Sequence, residues 1–295
     1  MNLKHIISVN QFDTNFLENL FRKAVSYSEV NQNSTFSNSL SGKIVANLFY
    51  EPSTRTSSSF FAAATKLGGS VLPINEVTYS SVAKGESLKD TIITLGCYAD
   101  AIILRHGSKG AAQEAAQVSN VPIINAGDGD GEHPTQALLD LFTIFKEKQN
   151  QSVGSLRIGM MGDLKHGRTV HSLTKLLRLY NPKLHFIAPK EFQMPDEYIR
   201  IGDSTHEGLE EVLELLDVLY VTRVQKERHS SAIDYKYMIT PETLIQAKSN
   251  LTIMHPLPRV GEIHEDVDQD PRAAYFRQMK NGLWVRMALL DTVLA

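Results

Sequence analysis

The sequence has few of the features that mark secreted, membrane-bound or nucleic-acid-binding proteins. One cysteine, Cys97, stands among 295 residues, so no disulfide forms within this chain and a reducing, cytoplasmic setting is expected. No uninterrupted apolar run approaches the length of a membrane span, and residues 1–7 lack the sustained apolar stretch of a signal peptide. The 30 basic residues are outnumbered by 33 acidic ones, so we expect no nucleic-acid partner and no membrane partner.

The remaining composition is that of a globular protein, with 42% hydrophobic and 21% charged residues. The length predicts two domains, and the polar, glycine-terminated segment 148–154 marks their junction. We therefore expect one domain over residues 1–150 and a second over 151–272. A closing helix, at about 273–295, is expected to pack back on the first domain. Cys97 lies in an apolar helical pattern and is expected to pack in the core.

Strand and helix patterns alternate along both halves, which predicts an α/β fold of two doubly wound domains. Each would have a mainly parallel sheet with helices on both faces. An amphipathic helix is expected first, at 14–28. The expected strands are 44–49, 70–73, 101–104, 122–124, 157–161, 184–188, 218–221 and 252–254. The other expected helices are 57–67, 86–98, 110–118, 135–148, 169–179, 207–215 and 273–294.

The segment Phe49–Thr56 is the most informative stretch, because it joins a buried strand to a helix. A helix N-terminus there would point unpaired N–H groups outward. Ser53, Thr54 and Thr56 add hydroxyl donors, and Arg55 adds a charged fork that fits a phosphate. The segment therefore predicts a phosphate site. The alternative interpretation is an N-cap cluster with a surface arginine.

Two other motifs resemble known sites without matching them. Counting from Asp128, a calcium loop would need glycine and glutamate where His133 and Leu139 stand. The glycines of the segment at 159–168 do not have the G-x-G-x-x-G spacing of a dinucleotide turn. We therefore expect no metal and no cofactor.

The segment Phe49–Thr56 resembles the carbamoyl-phosphate loop of the aspartate/ornithine carbamoyltransferase family, and other segments along the chain resemble the same family. The matching segments are Glu-Pro-Ser-Thr-Arg-Thr at 51–56, His-Pro-Thr-Gln at 133–136, Gly-Asp-Leu-Lys-His-Gly-Arg-Thr-Val-His-Ser at 162–172, Thr-Arg-Val-Gln-Lys-Glu-Arg at 222–228 and His-Pro-Leu-Pro-Arg at 255–259. Cysteines typical of the ornithine branch are absent from the first and last His-Pro motifs. At Ser57 the chain differs from some members of the family, which carry a second arginine after the Ser-Thr-Arg-Thr motif.

The resemblance implies that the first domain binds carbamoyl phosphate. It assigns catalysis to Arg55, Thr56, Arg105 and His133, with Arg105 and His133 on the carbamoyl oxygen. The wider set implied for carbamoyl phosphate is Ser53, Thr54, Arg55, Thr56, Ser80, Lys84, Arg105, His133, Gln136, Leu257 and Pro258. Ser80 and Lys84 would enter the site of a neighbouring subunit, with Ser81 as the alternative to Ser80. Independently, Arg105 directly follows a predicted strand, at the edge where ligands of such sheets collect.

The second domain would bind L-aspartate, through the set Lys84, Arg168, Arg223, Gln225 and Leu257. Arg168 and Arg223 would each hold one carboxylate. Two prolines leave the carbonyls of Leu257 and Pro258 able to accept from an amine. The resemblance also assigns Glu51 and Arg228 to domain closure.

The implied activity is transfer of a carbamoyl group from carbamoyl phosphate to the α-amine of L-aspartate, an early step of pyrimidine biosynthesis. The implied assembly is a homotrimer with shared active sites. Two alternatives stay open: a carbamoyltransferase for another amine, and a non-catalytic homologue that serves as an assembly partner. The sequence also leaves open whether regulatory or dihydroorotase subunits bind.

Overall fold

The computed structural model describes residues 4–29, 38–75, 85–223 and 238–294. The chain divides into two compact units. Unit 1 is Met1–Leu139 with Lys280–Ala295, and unit 2 is Asp140–Met279. Each unit contains one parallel sheet whose strands are connected through helices or turns, which confirms the predicted α/β class. Within the described residues, no helix is long and apolar enough to cross a membrane.

The sheet of unit 1 has the strand order β2-β1-β3-β4. Its strands are short apolar runs, as expected for a covered parallel sheet, and its core includes Ala46, Leu48, Ile102 and Leu104. The strands are β1 (Ile44–Phe49), β2 (Ser70–Asn75), β3 (Ala101–His106) and β4 (Ile123–Asp128). The helices are α1 (Thr14–Glu29), α2 (Thr54–Lys66), α3 (Leu88–Gly96), α4 (Ala111–Val118) and α5 (Pro134–Glu147), whose last residues belong to unit 2.

The sheet of unit 2 has the order β7-β6-β5-β8-β9, again parallel throughout. Its strands are β5 (Arg157–Met161), β6 (Lys183–Ile187), β7 (Ser204–His206), β8 (Val218–Val221) and β9 (Thr252–Met254). Helix α6 (Arg168–Leu177) follows β5, and α7 (Tyr275–Leu294) starts in unit 2 and ends in unit 1. In unit 1, Asp291 of α7 accepts from the Tyr27 hydroxyl at 3.0 Å and pairs with Lys23 at 2.8 Å.

Two predictions, the helix at 207–215 and the burial of Cys97, were wrong, and one strand was missed. The predicted helix at 207–215 is two 3₁₀ turns, Leu209–Glu211 and Leu213–Leu215, interrupted by Val212 at φ −140°. The apolar spacing that suggested a helix is real, because Leu209, Val212 and Leu213 are buried. Strand β7 was not predicted. Cys97 is exposed instead of buried, because α3 ends at Gly96 and the cysteine lies at its C-cap.

The strand orders place one switch point in each sheet, where successive connections diverge to opposite sides. In unit 1 it lies between β1 and β3, and in unit 2 between β5 and β8. Ligands of open α/β sheets bind outside the carboxyl ends of the strands at this position. The segments after β1 and β5, and the ends of β3 and β8, are therefore the places to look for function.

The buried His185 of β6 contacts the partly exposed His206 of β7, and this contact should make unit 2 sensitive to acid. His185 is 3% exposed and lies 3.1 Å from His206, measured from Nδ1 to Nε2. Burial, followed by the neighbouring His206, lowers the pKa of His185 to about 4. The unfolded chain therefore binds a proton at His185 more tightly than the folded chain does. The free energy of unfolding that the neutral, buried His185 contributes above pH 6.5 is lost as the pH falls towards 4.

We therefore predict that His185→Phe reduces the loss of unfolding free energy between pH 7.5 and pH 4 by about 3 kcal/mol. Urea unfolding at both pH values measures this difference. Phe186→Leu, at the next residue of β6, changes packing without removing a titratable group, so it should shift both values alike. An equal acid-induced loss in His185→Phe and the parent would contradict the prediction.

Candidate active site

The loop after β1 forms the first part of the candidate site. Ser53 is the N-cap of α2, and among the described residues its side chain makes no capping hydrogen bond. Thr54 and Arg55 are exposed in the first turn, whereas Thr56 is 6% exposed. The turn therefore presents the N-terminal N–H groups of a 13-residue helix, a guanidinium and hydroxyl groups in one place. This arrangement can bind a dianion such as a phosphate.

Arg105 lies next to this loop, since it pairs with Phe49 in the register of β1 and β3. It is the fifth residue of β3, so the prediction that it follows the strand was wrong by two residues. Its guanidinium lies 3.4 Å from the carboxylate of Glu51 and donates to the carbonyl of Ala126 at 3.3 Å. The side chain is only 14% exposed. An anion that binds Arg105 must therefore compete with Glu51.

His133 and Gln136 lie where β4 leads into α5, with 4% and 7% of their surfaces exposed. Asp128 organises the loop before them: its carboxylate accepts from the backbone N–H of Gly110 and of Glu132, both at 2.9 Å. Gly129 has φ +52°, and a Cβ there would lie 2.5 Å from the carbonyl oxygen of Gly107. The glycines of the rejected calcium motif thus serve close backbone packing that presents His133.

In unit 2, the segment after β5 has a similar construction. The buried carboxylate of Asp163 accepts from the backbone N–H of His166 at 3.0 Å, and Arg168 is the first residue of α6. Gly162 has φ +124°, and a Cβ there would lie 2.1 Å from the carbonyl oxygen of Thr222. This close approach brings the Arg168 segment beside the end of β8, where Arg223 follows Thr222. The two arginines thus lie at the switch point of their sheet.

Hydrogen bonds from neighbouring side chains hold the segment after β9, residues 255–259, in place. Leu257 has φ +53°, a left-handed conformation that a leucine adopts only when its surroundings hold it. Its backbone N–H donates to Nδ1 of His255 at 2.8 Å. Arg259 pairs with Asp268 and with the hydroxyl of Tyr275, and the hydrogen bond from Arg259 lowers the pKa of Asp268.

The structure thus groups the predicted residues by unit. Ser53, Thr54, Arg55, Thr56, Arg105, His133 and Gln136 lie at one edge of the unit 1 sheet, and Arg168, Arg223, Leu257 and Pro258 follow strands of the unit 2 sheet. Ser80, Ser81, Lys84, Gln225 and Arg228 lie outside the described residues. The sequence did not predict Asp128 and Asp163, although each stands in a glycine-rich turn before an assigned residue.

Family models match almost the whole chain. The model described as aspartate/ornithine carbamoyltransferase, carbamoyl-P binding domain, matches residues 4–146. The model of the Asp/Orn binding domain of the same family matches residues 155–293. The chain belongs to the aspartate/ornithine carbamoyltransferase family.

Curated relatives and solved structures place it beside the aspartate branch of this family. The chain is 48% identical to the aspartate carbamoyltransferase catalytic subunit of Methanopyrus kandleri over 99% of this chain and 97% of that one. It is 52% identical to multifunctional protein pyr1-3 of Dictyostelium discoideum over 98% of this chain, but it spans only 13% of that relative. It also spans 13% of multifunctional protein CAD of Squalus acanthias.

A solved structure gives the same result for the fold. The aspartate transcarbamoylase of Trypanosoma cruzi in complex with aspartate and phosphate superposes with a TM-score of 0.91 at 44% identity, over 99% of this chain and 96% of that one. The predicted family resemblance is therefore confirmed.

Proposed function

We propose that the chain transfers the carbamoyl group of carbamoyl phosphate to the α-amine of L-aspartate, which gives N-carbamoyl-L-aspartate for pyrimidine biosynthesis. The observation that carries this proposal is the position of the two cation sets, Arg55 with Arg105 and Arg168 with Arg223. Each set lies at the switch point of its own sheet. One substrate is an acyl phosphate and the other a dicarboxylate, so each set matches the charge of one substrate.

Unit 1 would bind and activate carbamoyl phosphate. The first turn of α2, with Ser53, Thr54 and Arg55, would hold the phosphate. Thr56, Arg105 and His133 would donate to the carbamoyl oxygen and stabilise the charge that develops on it, and Gln136 would contact the carbamoyl group. Glu51 must release Arg105 first. This exchange is compatible with the assignment of Glu51 to domain closure together with Arg228.

Unit 2 would bind and orient L-aspartate. Arg168 and Arg223 would hold its two carboxylates, while Gln225 and the carbonyls of Leu257 and Pro258 would accept from the amine. The amine attacks the carbamoyl carbon, the bond from that carbon to the phosphate oxygen breaks, and the departing phosphate takes the amine proton. Because binding and orientation supply the rate enhancement, no covalent intermediate on the protein is needed.

An assay with purified protein tests the proposal. Carbamoyl phosphate and L-aspartate should give N-carbamoyl-L-aspartate and phosphate in equal amounts. L-ornithine should give no carbamoylated product, because its side-chain amine would face the arginines. Carbamoylation of another amine in preference to aspartate would favour the first alternative. No turnover with any amine would favour a non-catalytic homologue.

We also propose a cytoplasmic homotrimer in which Ser80, or Ser81 in its place, and Lys84 complete a neighbour's site. The support is the family resemblance of segment 78–86 and, for the location, the exposed thiol of Cys97, which a reducing compartment would preserve. Regulatory or dihydroorotase subunits are further partners that the resemblance leaves open.

Mixing two inactive variants tests the shared site. Arg55→Ala and Lys84→Ala chains should each be nearly inactive, yet a hybrid trimer can pair an intact Arg55 from one chain with an intact Lys84 from its neighbour. Random equal mixing should restore roughly a quarter of the sites, one half times one half, in a ring that closes head to tail. Each variant refolded alone is the control. Hybrid trimers, identified by mass, that stay inactive would exclude action of Lys84 across the interface.

A further inference from the structure

A chain of buried hydrogen bonds runs through unit 2 towards the segment after β9. Asp140, on α5, accepts from the hydroxyl of Tyr220 at 2.8 Å and from Nε2 of Gln278 at 2.6 Å. Oε1 of Gln278 accepts from the backbone N–H of His255 at 2.9 Å, and Nδ1 of His255 accepts from Leu257. The four side chains of this network, from Asp140, Tyr220, Gln278 and His255, are at most 1% exposed.

The network contacts or adjoins every described segment of unit 2 that we assign to aspartate. Its member Tyr220 lies in β8, three residues before Arg223. A hydrogen bond also links the Tyr220 hydroxyl with Thr169, the residue after Arg168. At the opposite end of the network, His255 accepts from the backbone N–H of Leu257. A single set of buried side chains is thus shared by the three segments.

Stability alone does not account for this network. A buried carboxylate costs free energy that an apolar side chain of similar volume would not, unless its hydrogen bonds compensate. What the network does supply is direction. Gln278 must accept from His255 and donate to Asp140 at the same time, so only one orientation of its amide satisfies both. In that orientation Gln278 holds the backbone N–H of His255. The ring of His255 in turn holds the N–H of Leu257, which has a left-handed conformation.

We propose that Asp140 and Gln278 are positioning residues of the acceptor-substrate site. They hold the backbone from His255 to Pro258 so that the carbonyls of Leu257 and Pro258 face the amine of bound L-aspartate. This inference rests on the proposed function. The inference adds to the proposed function because neither Asp140 nor Gln278 is a ligand of a substrate, and both act through the main chain.

Reversing the two polar groups tests the proposal. In Gln278→Glu, two carboxylates meet where an N–H donated to an oxygen. In Asp140→Asn, one amide group replaces a carboxylate that accepted from two donors. The double variant restores every hydrogen bond: Asn accepts from Tyr220 and donates to Glu, whose other oxygen accepts from His255. Each single variant should lose at least about tenfold in kcat/KM for aspartate, and the double variant should recover to within about threefold of the parent.

A ligand comparison separates positioning from a general loss of structure. Succinate is a dicarboxylate of the same length as aspartate but lacks the amine. In the presence of carbamoyl phosphate, the single variants should bind succinate within about threefold of the parent while their kcat/KM for aspartate falls. Arg277→Gln, which removes an exposed ion pair with Glu147 one residue from Gln278, is the matched control and should change neither value.

Each outcome decides the matter. If aspartate and succinate weaken by the same factor, or if the double variant recovers nothing, Asp140 and Gln278 are structural only. If one single variant does not fold, the other carries the comparison, and an unchanged ratio of aspartate to succinate binding in that variant overturns the proposal. If the parent chain makes no carbamoyl aspartate, the proposed function fails and this inference fails with it. Failure in the variants of an active parent overturns this inference alone.

Discussion

Replacing Arg55 with alanine is expected to lower kcat/KM with carbamoyl phosphate by at least about 100-fold, which corresponds to about 3 kcal/mol of transition-state stabilisation. Arg55 lies in the first turn of α2, where its positive charge would stabilise the negative charge of the departing phosphate throughout the reaction. It is exposed, so its removal creates no core cavity and the fold should persist.

Steady-state kinetics with each substrate varied in turn, together with a thermal unfolding curve, measures this effect. Lys66→Ala is the matched control because it removes an exposed cation from the last turn of the same helix. Its kinetics should match those of the parent. An Arg55→Ala enzyme that keeps kcat/KM within about tenfold of the parent would remove Arg55 from the site.

Replacing Arg223 with alanine should strongly impair the productive use of aspartate but leave the carbamoyl-phosphate half of the site intact. The side chain follows β8 at the switch point of unit 2, where it would pair with a carboxylate of the substrate. Losing one charged partner of such a pair typically costs about 2–5 kcal/mol. We therefore expect the KM for aspartate to rise by at least about 30-fold.

Two ligands separate the halves of the site in Arg223→Ala. A bisubstrate ligand that joins a phosphonate to aspartate should bind much more weakly, whereas inorganic phosphate should bind as it does to the parent. Arg200→Ala, at an exposed arginine of the same unit, should leave both affinities unchanged. Equal weakening of both ligands would show that the division of labour between the arginines is wrong.

The parts of the fold that could be predicted are those with a strong local pattern. Strands β1, β5, β8 and β9 are apolar runs bounded by polar or turn residues, and each was predicted at its observed bounds. The segment 207–215 has helical spacing of apolar residues but forms 3₁₀ turns, which bury the same side chains. Local pattern does not distinguish these two outcomes.

The candidate site shows a similar limit. Residues in specific motifs, such as Arg55 and His133, could be found from the sequence because the motif itself carries the chemistry. Asp140 could not, because its partners Tyr220 and Gln278 lie 80 and 138 residues away along the chain. A buried aspartate in an apolar helix gives no sign in the sequence of which distant donors it accepts from.

The divided composition of unit 1 also has a consequence for biosynthesis. The ribosome makes a chain from its N-terminus, and domains generally fold as units when their residues have emerged. Unit 2 is one continuous segment, but Tyr27 and Lys23 of unit 1 wait for Asp291, more than 260 residues later. Unit 2 therefore has all its residues available before unit 1 does. Until then, nascent unit 1 lacks its α7 segment, and with it the carboxylate that Tyr27 and Lys23 contact in the folded chain.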